Sequence, residues 1–266
     1  MKLSIITVNL NNKAGLQKTI DSVISQTFKD YEWIVIDGGS TDGSKELIEK
    51  YSDHISYWVS EPDKGIYNAM NKGIKKSNGD YLLFLNSGDE LYNKDVLANI
   101  FDRDWNADII SGQVERMDNH KLLRKYDKSI YMQLYNDTIN HQGSFIKRYL
   151  FNERLYDESL KIVSDWKFWV ESIIINNASI EVTNAIITKQ DMEGISSSNI
   201  DILKKERSTL LNSFFPPLLQ TELEKVNMIK NSESFRRVCY IKEHNHLLYK
   251  IWYKLTSWLF SIAIRV

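Results

Sequence analysis

The chain has little of what staples, breaks or anchors a fold. One cysteine, Cys239, stands among 266 residues, so no disulfide forms within the chain, which fits a reducing compartment. There are three prolines, two of them adjacent at Pro216-Pro217, and no internal repeat or low-complexity tract. No run of 18 apolar residues occurs, so no transmembrane span is expected. The apolar stretch Leu3 to Val8 is too short for a signal-peptide core. Neither charge dominates: 34 Lys and Arg face 35 Asp and Glu, a net charge of -1 that argues against a chain coating nucleic acid. What is present is a 42% hydrophobic content, enough for one sizeable core with an appended segment. Aromatics are plentiful, with 7 Trp and 14 Tyr, and thicken towards the C-terminus.

The apolar pattern alternates between two periods. Leu3 to Val8 is short and β-branched, a strand. Leu16, Ile20, Val23 and Ile24 then recur at helical spacing. Trp33-Ile34-Val35-Ile36 reads as a strand covered on both faces, and the loop Asp37 to Gly43 offers caps for a helix to about Tyr51. Ile55 to Val59 predicts a third strand. Ile66, Ala69, Met70, Gly73 and Ile74 share a helix face. Tyr81 to Leu85 predicts a fourth strand after the Asn78-Gly79 turn. Strands alternating with helices imply a mainly parallel, Rossmann-like α/β sheet covered by helices, with ligands at the carboxyl ends of the strands. On that edge fall Thr7-Val8-Asn9, Asp37-Gly38-Gly39, Glu61-Pro62-Asp63 and Asn86-Ser87-Gly88-Asp89. Four polar strand ends on one edge suggest a site.

Beyond residue 107 the pattern loosens. Asp108 to Ile110 and Gln113-Val114 predict another strand, and Ser164 is a fair N-cap for a helix through Asp165, Trp166 and Trp169. The expected organisation is a nucleotide-sugar-binding half at 1–106, an acceptor-binding half of the same domain at 107–200, and a helical extension at 201–266.

The ordered set Ile5 to Asn9, Asp21-Ser22-Val23 with Gln26, Val35 to Gly43, Asp63 to Gly73 and Gly79 to Asp89 resembles family 2 glycosyltransferases, inverting nucleotide-sugar enzymes of GT-A fold. The likeness is to the bacterial branch that builds surface polysaccharides, dense over residues 3 to 90 and thinner to about 195. It implies a nucleotide pocket lined by Thr7, Asn9, Asp37, Asp63 and Asn71. It also implies Mn²⁺ or Mg²⁺ held against the diphosphate by an Asp-x-Asp-type motif. Here Asn86 and Gly88 stand where acids are usual, so Asp89 is the expected metal ligand, with Asn86, Ser87 and His141 at the diphosphate or sugar. One carboxylate grips a cation less than two. Asp165 matches the family's general base, and Trp166, with Trp169, would stack on a sugar of the acceptor. Gly194-Ile195-Ser196 resembles a late loop over the donor.

Plainer roles are open to the same residues. Asp37 or Asp89 could cap a helix, Asp165 could answer the helix dipole, Asn71 could be solvated, and Trp166 could be core. From Arg236 to Val266, six basic residues face one acid, Glu243. Leu248, Ile251, Trp252, Leu255, Leu259 and Ile262 fall on one helix face, Lys250, Lys254 and Arg265 on another. This reads as an amphipathic helix on an anionic membrane, against a helix docked on its own core or in a homodimer.

The expectation is an inverting hexosyl- or N-acetylhexosaminyl-transferase. It would move sugar from a UDP-sugar to a lipid-linked saccharide at the inner face of the cytoplasmic membrane. The alternatives are a non-catalytic sugar-nucleotide-binding or scaffold subunit, and a nucleotidyltransferase. The second is disfavoured because Asn9-Leu10-Asn11-Asn12 has no glycine for phosphates to approach.

Overall fold

The computed structural model describes residues 1–120, 122–123, 129–191 and 199–263. They fall into two compact units, Met1–Leu211 and Asn212–Val266.

The first unit begins as the apolar periods predict. Strands β1 (Leu3–Asn9), β2 (Tyr31–Asp37), β3 (Tyr57–Ser60) and β4 (Tyr81–Phe84) pair in parallel in the order β3-β2-β1-β4. Helices α1 (Lys13–Ile24), α2 (Ser44–Lys50) and α3 (Ile66–Lys76) connect them. β1 is buried along its whole length, because helices cover both faces of the sheet. Leu3 and Ile5 pack in one cluster with Leu16, Ile20, Val23 and Trp33. On the opposite face α3 comes close enough that a Cβ on Gly73 would lie 2.4 Å from the Ile6 side chain.

The register of these strands sets up the site. Asn9 pairs with Asp37, and Asp37 with Ser60, so three polar residues stand side by side where β1, β2 and β3 end.

The second half of the unit departs from a parallel sheet. β5 (Glu90–Leu91) follows β4 closely, and β6 (Ile109–Arg116) runs through the two short stretches seen in the sequence. β7 (Leu122–Leu123) pairs with β6. β8 (Ser144–Lys147) lies antiparallel between β4 and β6. β9 (Ile180–Gln190) runs parallel to β6 and antiparallel to β5. The sheet is therefore α/β overall but mixed beyond β4. These pairings join residues distant in sequence, and local periodicity carries no record of them. Short α4 (Val96–Ile100) and α5 (Ile130–Asn136) fill the connections. α6 (Ser164–Trp169) continues as a π-helical turn to Ile175.

Helix α7 (Ile200–Phe214) starts inside the first unit, so the helical segment expected from 201 is built into it as far as Leu211. The Glu206 carboxylate accepts the N–H groups of Lys161 at 2.8 Å and Ile162 at 3.0 Å. Arg207 donates to the carbonyls of Leu134 and Asp137 and lies over the Trp166 ring. The second unit is helical: α8 (Pro217–Asn231), α9 (Glu233–His244) and α10 (His246–Ala263).

The tight α3–β1 contact gives a stability test. Gly73→Ala gains about 1 kcal/mol of helix propensity but overpacks Ile6, at a cost of about 1–3 kcal/mol. Urea denaturation should register a net loss; a variant more stable than wild type would show that α3 has room to shift.

Candidate active site

The three strand-end residues form a closed polar knot around Asp37. Its Oδ1 accepts from Asn9 Nδ2 at 2.7 Å and from the Ser40 hydroxyl at 2.6 Å. Its Oδ2 accepts from the Ser60 hydroxyl at 2.6 Å and the Ser40 N–H at 2.9 Å. Burial alone would raise the carboxyl, but these four donors outweigh it and hold Asp37 below its ordinary value. The knot leaves its carboxylate no obvious spare acceptor site, since a carboxylate offers about four. Asn9 contributes one unmet atom, its buried Oδ1. Asp63 accepts the Gly65 N–H at 2.8 Å and lies against Gly38, within 2.5 Å of where a Cβ would stand. Asn9, Asp37 and Asp63 are thus brought together.

Two expected pocket residues serve elsewhere. Thr7 is fully buried and its hydroxyl accepts the Trp33 indole N–H at 3.0 Å, so its side chain braces the core. Asn71 is neither solvated nor open to a ligand. Its amide nitrogen donates to the Tyr156 carbonyl and Glu158, and its oxygen accepts the Tyr156 N–H, pinning the 156–158 loop onto α3.

The turn after β4 is held from α1. The Thr19 hydroxyl donates to the Asp89 carbonyl at 2.7 Å and accepts the Gly88 N–H at 3.0 Å, and Asn12 Nδ2 donates to the Ser87 carbonyl at 3.1 Å. Gly88 has φ +104°, open to glycine and strained for a side chain. A Cβ there would also meet Asp191 Oδ2 at 2.8 Å. The missing acid at 88 is therefore matched in space by Asp191, arriving from the end of β9. Asp89 does not cap a helix. It is buried, and its Oδ1 accepts the Asp191 N–H at 2.9 Å. Burial raises its carboxyl to about 7, with Asp191's charge adding to the rise while the Asp191 N–H and nearby His141 oppose it. Asn86 Oδ1 is buried with no partner.

Beside this turn stands a second pair. His141 Nδ1 lies 3.0 Å from Asp165 Oδ2, the two side chains 13% and 14% exposed. His141 opens a short 3₁₀ turn before β8 and meets Phe84 of β4 edge-on, which places it next to the β4 end. Asp165 Oδ1 accepts the Trp166 N–H at 2.8 Å and lies 3.2 Å from the Tyr67 hydroxyl, which donates to the Ile162 carbonyl at 2.5 Å. Burial, with Asp165's charge, keeps the Tyr67 and Tyr156 hydroxyls protonated. His141 Nε2 and the Tyr156 hydroxyl are buried without partners.

Several expectations around α6 are corrected. Ser164 lies in the first turn and is not the cap; its hydroxyl accepts the Asp157 N–H. Trp166 and Trp169 are core, their indole N–H groups on the carbonyls of Leu134 and Ile139, so neither ring is available to stack on a sugar. Gly194-Ile195-Ser196 lies outside the described residues. Sequence reasoning missed Asp191, Thr19 and Ser60. Ser60 was readable from the pairing of adjacent parallel strand ends, but nothing local marks Asp191 as a partner of Asp89.

Among the described residues no group of three or more His, Cys, Asp or Glu forms a metal cage. The donor set nevertheless suits a hard cation that takes its other ligands from a diphosphate. It comprises Asp89, Asp191 and the unmet Asn86 oxygen, all oxygen donors, and a cation would favour the ionised form of Asp89.

The chain belongs to glycosyl transferase family 2, whose sequence pattern matches residues 4–157. It is a glycosyltransferase of GT-A fold. A PGL/p-HBAD biosynthesis glycosyltransferase of Mycobacterium bovis is 32% identical over 173 residues, covering 62% of this chain and 67% of that one. The structure of S. aureus TarS 1-349 in complex with UDP superposes with TM-score 0.65 at 18% identity, over 88% of this chain and 73% of that one. The present chain spans 44% of the longer TarS chain. Mannosyltransferase PcManGT from Pyrobaculum calidifontis, in complex with GDP-Man and Mn²⁺, superposes with TM-score 0.64 at 14% identity, over 97% of this chain and 80% of that one.

The Asp89 environment gives a pH test on metal-free protein. The unfolded chain releases this proton near 3.8 and the folded chain near 7, so the unfolded state binds fewer protons between them. Stability should therefore fall as pH rises from about 4 to about 7, by on the order of 4 kcal/mol at most at 1.36 kcal/mol per pKa unit. Melting curves in chelator should be steeper in pH for wild type than for Asp89→Asn. Parallel curves would mean that Asp89 titrates normally.

Proposed function

We propose that the protein transfers a sugar, with inversion, from a nucleotide sugar to a saccharide acceptor. The observation that carries this is the division of polar atoms at the β4 end. The Asn86 oxygen is buried without a partner and Asp89 is buried against Asp191, and the His141–Asp165 pair stands near the same strand end. The first set suits a Mn²⁺ or Mg²⁺ ion and the diphosphate it bridges; when bound, such an ion would neutralise charge on the leaving group. The second set supplies a proton acceptor for the attacking hydroxyl. Asn9 and Asp63, beside the saturated Asp37, form the nucleotide end. UDP is the favoured nucleotide, because a relative in fold binds it.

The acceptor is proposed to be lipid-linked, with the enzyme on the cytoplasmic face of the membrane. Support comes from the second unit. No helix among the described residues is long and apolar enough to cross a membrane. Yet Leu248, Ile251, Trp252, Tyr253 and Leu255 are exposed on α10, near Lys250 and Lys254. Apolar and aromatic side chains interleaved with cations suit an anionic bilayer surface. The side chains of Trp258, Leu259, Ile262 and Arg265 lie outside the described set. The scaffold alternative predicts nucleotide binding without transfer.

Calorimetric titration with UDP, GDP and their sugar nucleotides, with Mn²⁺ and with chelator, should give metal-dependent binding of one nucleotide class. Asp89→Ala should weaken it at least tenfold. Asp165→Asn should keep the binding and lose transfer. Binding indifferent to chelator would remove the metal from the proposal, and no binding would favour the scaffold.

For the membrane arm, the full chain should sediment with phosphatidylglycerol-containing vesicles and not with neutral ones. Lys250→Glu with Lys254→Glu should reduce this several-fold. Equal sedimentation with both vesicle types would exclude an electrostatic membrane contact.

A further inference from the structure

We infer that Glu206 and Arg207, neighbours on α7, are positioning residues that set where the Asp165 carboxylate meets the acceptor hydroxyl. This rests on the transfer reaction proposed above, with Asp165 as the proton acceptor.

Asp165 follows a stretch of chain with no strand or helix of its own. Residues 152–163 run as loop, turn and bend into α6, so their backbone N–H groups meet no ladder and need other acceptors. The cap position of α6 is Val163, whose aliphatic side chain accepts nothing. Three consecutive N–H groups go instead to Glu206. Lys161 reaches its Oε1 at 2.8 Å, and Ile162 and Val163 reach its Oε2 at 3.0 and 3.3 Å.

Ile162 is held from both sides. Its N–H goes to Glu206, and its carbonyl accepts the Tyr67 hydroxyl, which also lies 3.2 Å from Asp165 Oδ1. The tie on the loop thus reaches the carboxylate through one shared hydroxyl. Past Asp165, the Arg207 guanidinium lies 4.7 Å from the centre of the Trp166 ring. It donates to the carbonyls of Leu134, Tyr135 and Asp137 at 3.0, 3.3 and 2.7 Å, and the Trp166 indole N–H shares the Leu134 carbonyl. α7 therefore grips the chain at 161–163 and again at 166, on both sides of Asp165.

The bracketed residue is the one with chemistry to perform, and 14% of its side chain stays exposed. A proton acceptor works only within hydrogen-bond reach of the hydroxyl, and a displacement of about 1 Å can cost on the order of 100-fold in rate. Irregular backbone has the freedom to move that far unless something fixes it. Glu32 is a tie of the same kind with no such residue beside it. At the amino ends of β1, β2 and β4 its carboxylate accepts the Ser4 hydroxyl at 2.6 Å and the Asn78 and Gly79 N–H groups at 2.5 and 3.2 Å. It supplies a matched control.

The test uses the full chain with UDP-glucose, UDP-N-acetylglucosamine or GDP-mannose, whichever calorimetry selects. Nucleotide release is followed with p-nitrophenyl glycosides as acceptors or, where none is taken, with water. Glu206→Ala removes every acceptor at 161–163, whereas Glu206→Gln keeps one oxygen. Glu206→Ala should lose at least about 30-fold in kcat, with donor KM and nucleotide affinity within about threefold of wild type. Glu206→Gln should fall between the two. Arg207→Lys should also lose kcat, because an ammonium does not match three carbonyls as a planar fork does. Amide exchange over 161–166 should quicken in the Glu206 variants. Glu32→Ala leaves buried donors unpaired, so it should lower the melting temperature while keeping kcat within about threefold. If Glu206→Ala does not fold, Glu206→Gln and Arg207→Lys carry the same readouts. Glu206 variants with wild-type kcat, or with a loss carried by KM alone, would overturn the inference and leave the transfer reading standing. So would a Glu32→Ala protein that loses kcat as the Glu206 variants do, since general loosening would then explain both. A wild type that binds donor but transfers to neither glycoside nor water would overturn the transfer reading and this inference with it.

Discussion

A buried polar atom must find a partner or wait for one, and that constraint sorts the residues of this site. Asp37 and Asn71 are both buried, and both are satisfied by their own chain. They hold loops in place. Asn86 Oδ1 and His141 Nε2 are buried and unsatisfied, and Asp89 is held so far from water that its carboxyl rises to about 7. Such groups destabilise the free protein by amounts comparable to a large part of a domain's net stability. On the proposed transfer reaction, a cation or a sugar hydroxyl arriving there would offset that cost. The same edge of the sheet therefore carries groups satisfied by their own chain beside buried groups that are not.

The first half of the fold was legible because its information is local. Ile5-Ile6 and Val35-Ile36 lie in strands buried on both faces, and the Ile20–Val23 and Met70–Ile74 spacings mark helices that cover them. Parallel strands joined by helices leave little choice of arrangement. The resemblance pointed to acids at the strand ends but could not say which were already paired. Asp37 met that difficulty: its carboxylate suits a base or ribose, yet Ser40 and Ser60 had claimed its oxygens.

Past β4 the determining contacts are long-range. Trp166 and Trp169 look like sugar platforms beside an acid, and only the fold reveals that their N–H groups close onto Leu134 and Ile139. Glu206 and Arg207 fall in the stretch expected to be a helical C-terminal extension. They instead brace the segment carrying Asp165 and the carbonyls after α5. Asp191 gave no local signal at all, because its partner Asp89 lies on a different strand end.

Asp191 also accounts for the departure from the usual acidic motif. Position 88 has a positive φ and no room for a Cβ, since the Asp191 carboxylate lies where a side chain would begin. A glycine there and an acid at 191 are thus two halves of one arrangement: the negative charge is kept and its origin moves from the β4 turn to the end of β9. Moving it has a mechanical consequence. A carboxylate on the turn would sit on backbone that Thr19 and Asn12 hold through the Asp89 and Ser87 carbonyls. One supplied by β9 keeps its place through the Asp191 N–H bond to Asp89, so the two acids approach the same point as a coupled pair. Burial raises the Asp89 carboxyl, and the charge of Asp191 adds to that rise. A divalent cation arriving with the diphosphate would relieve both at once.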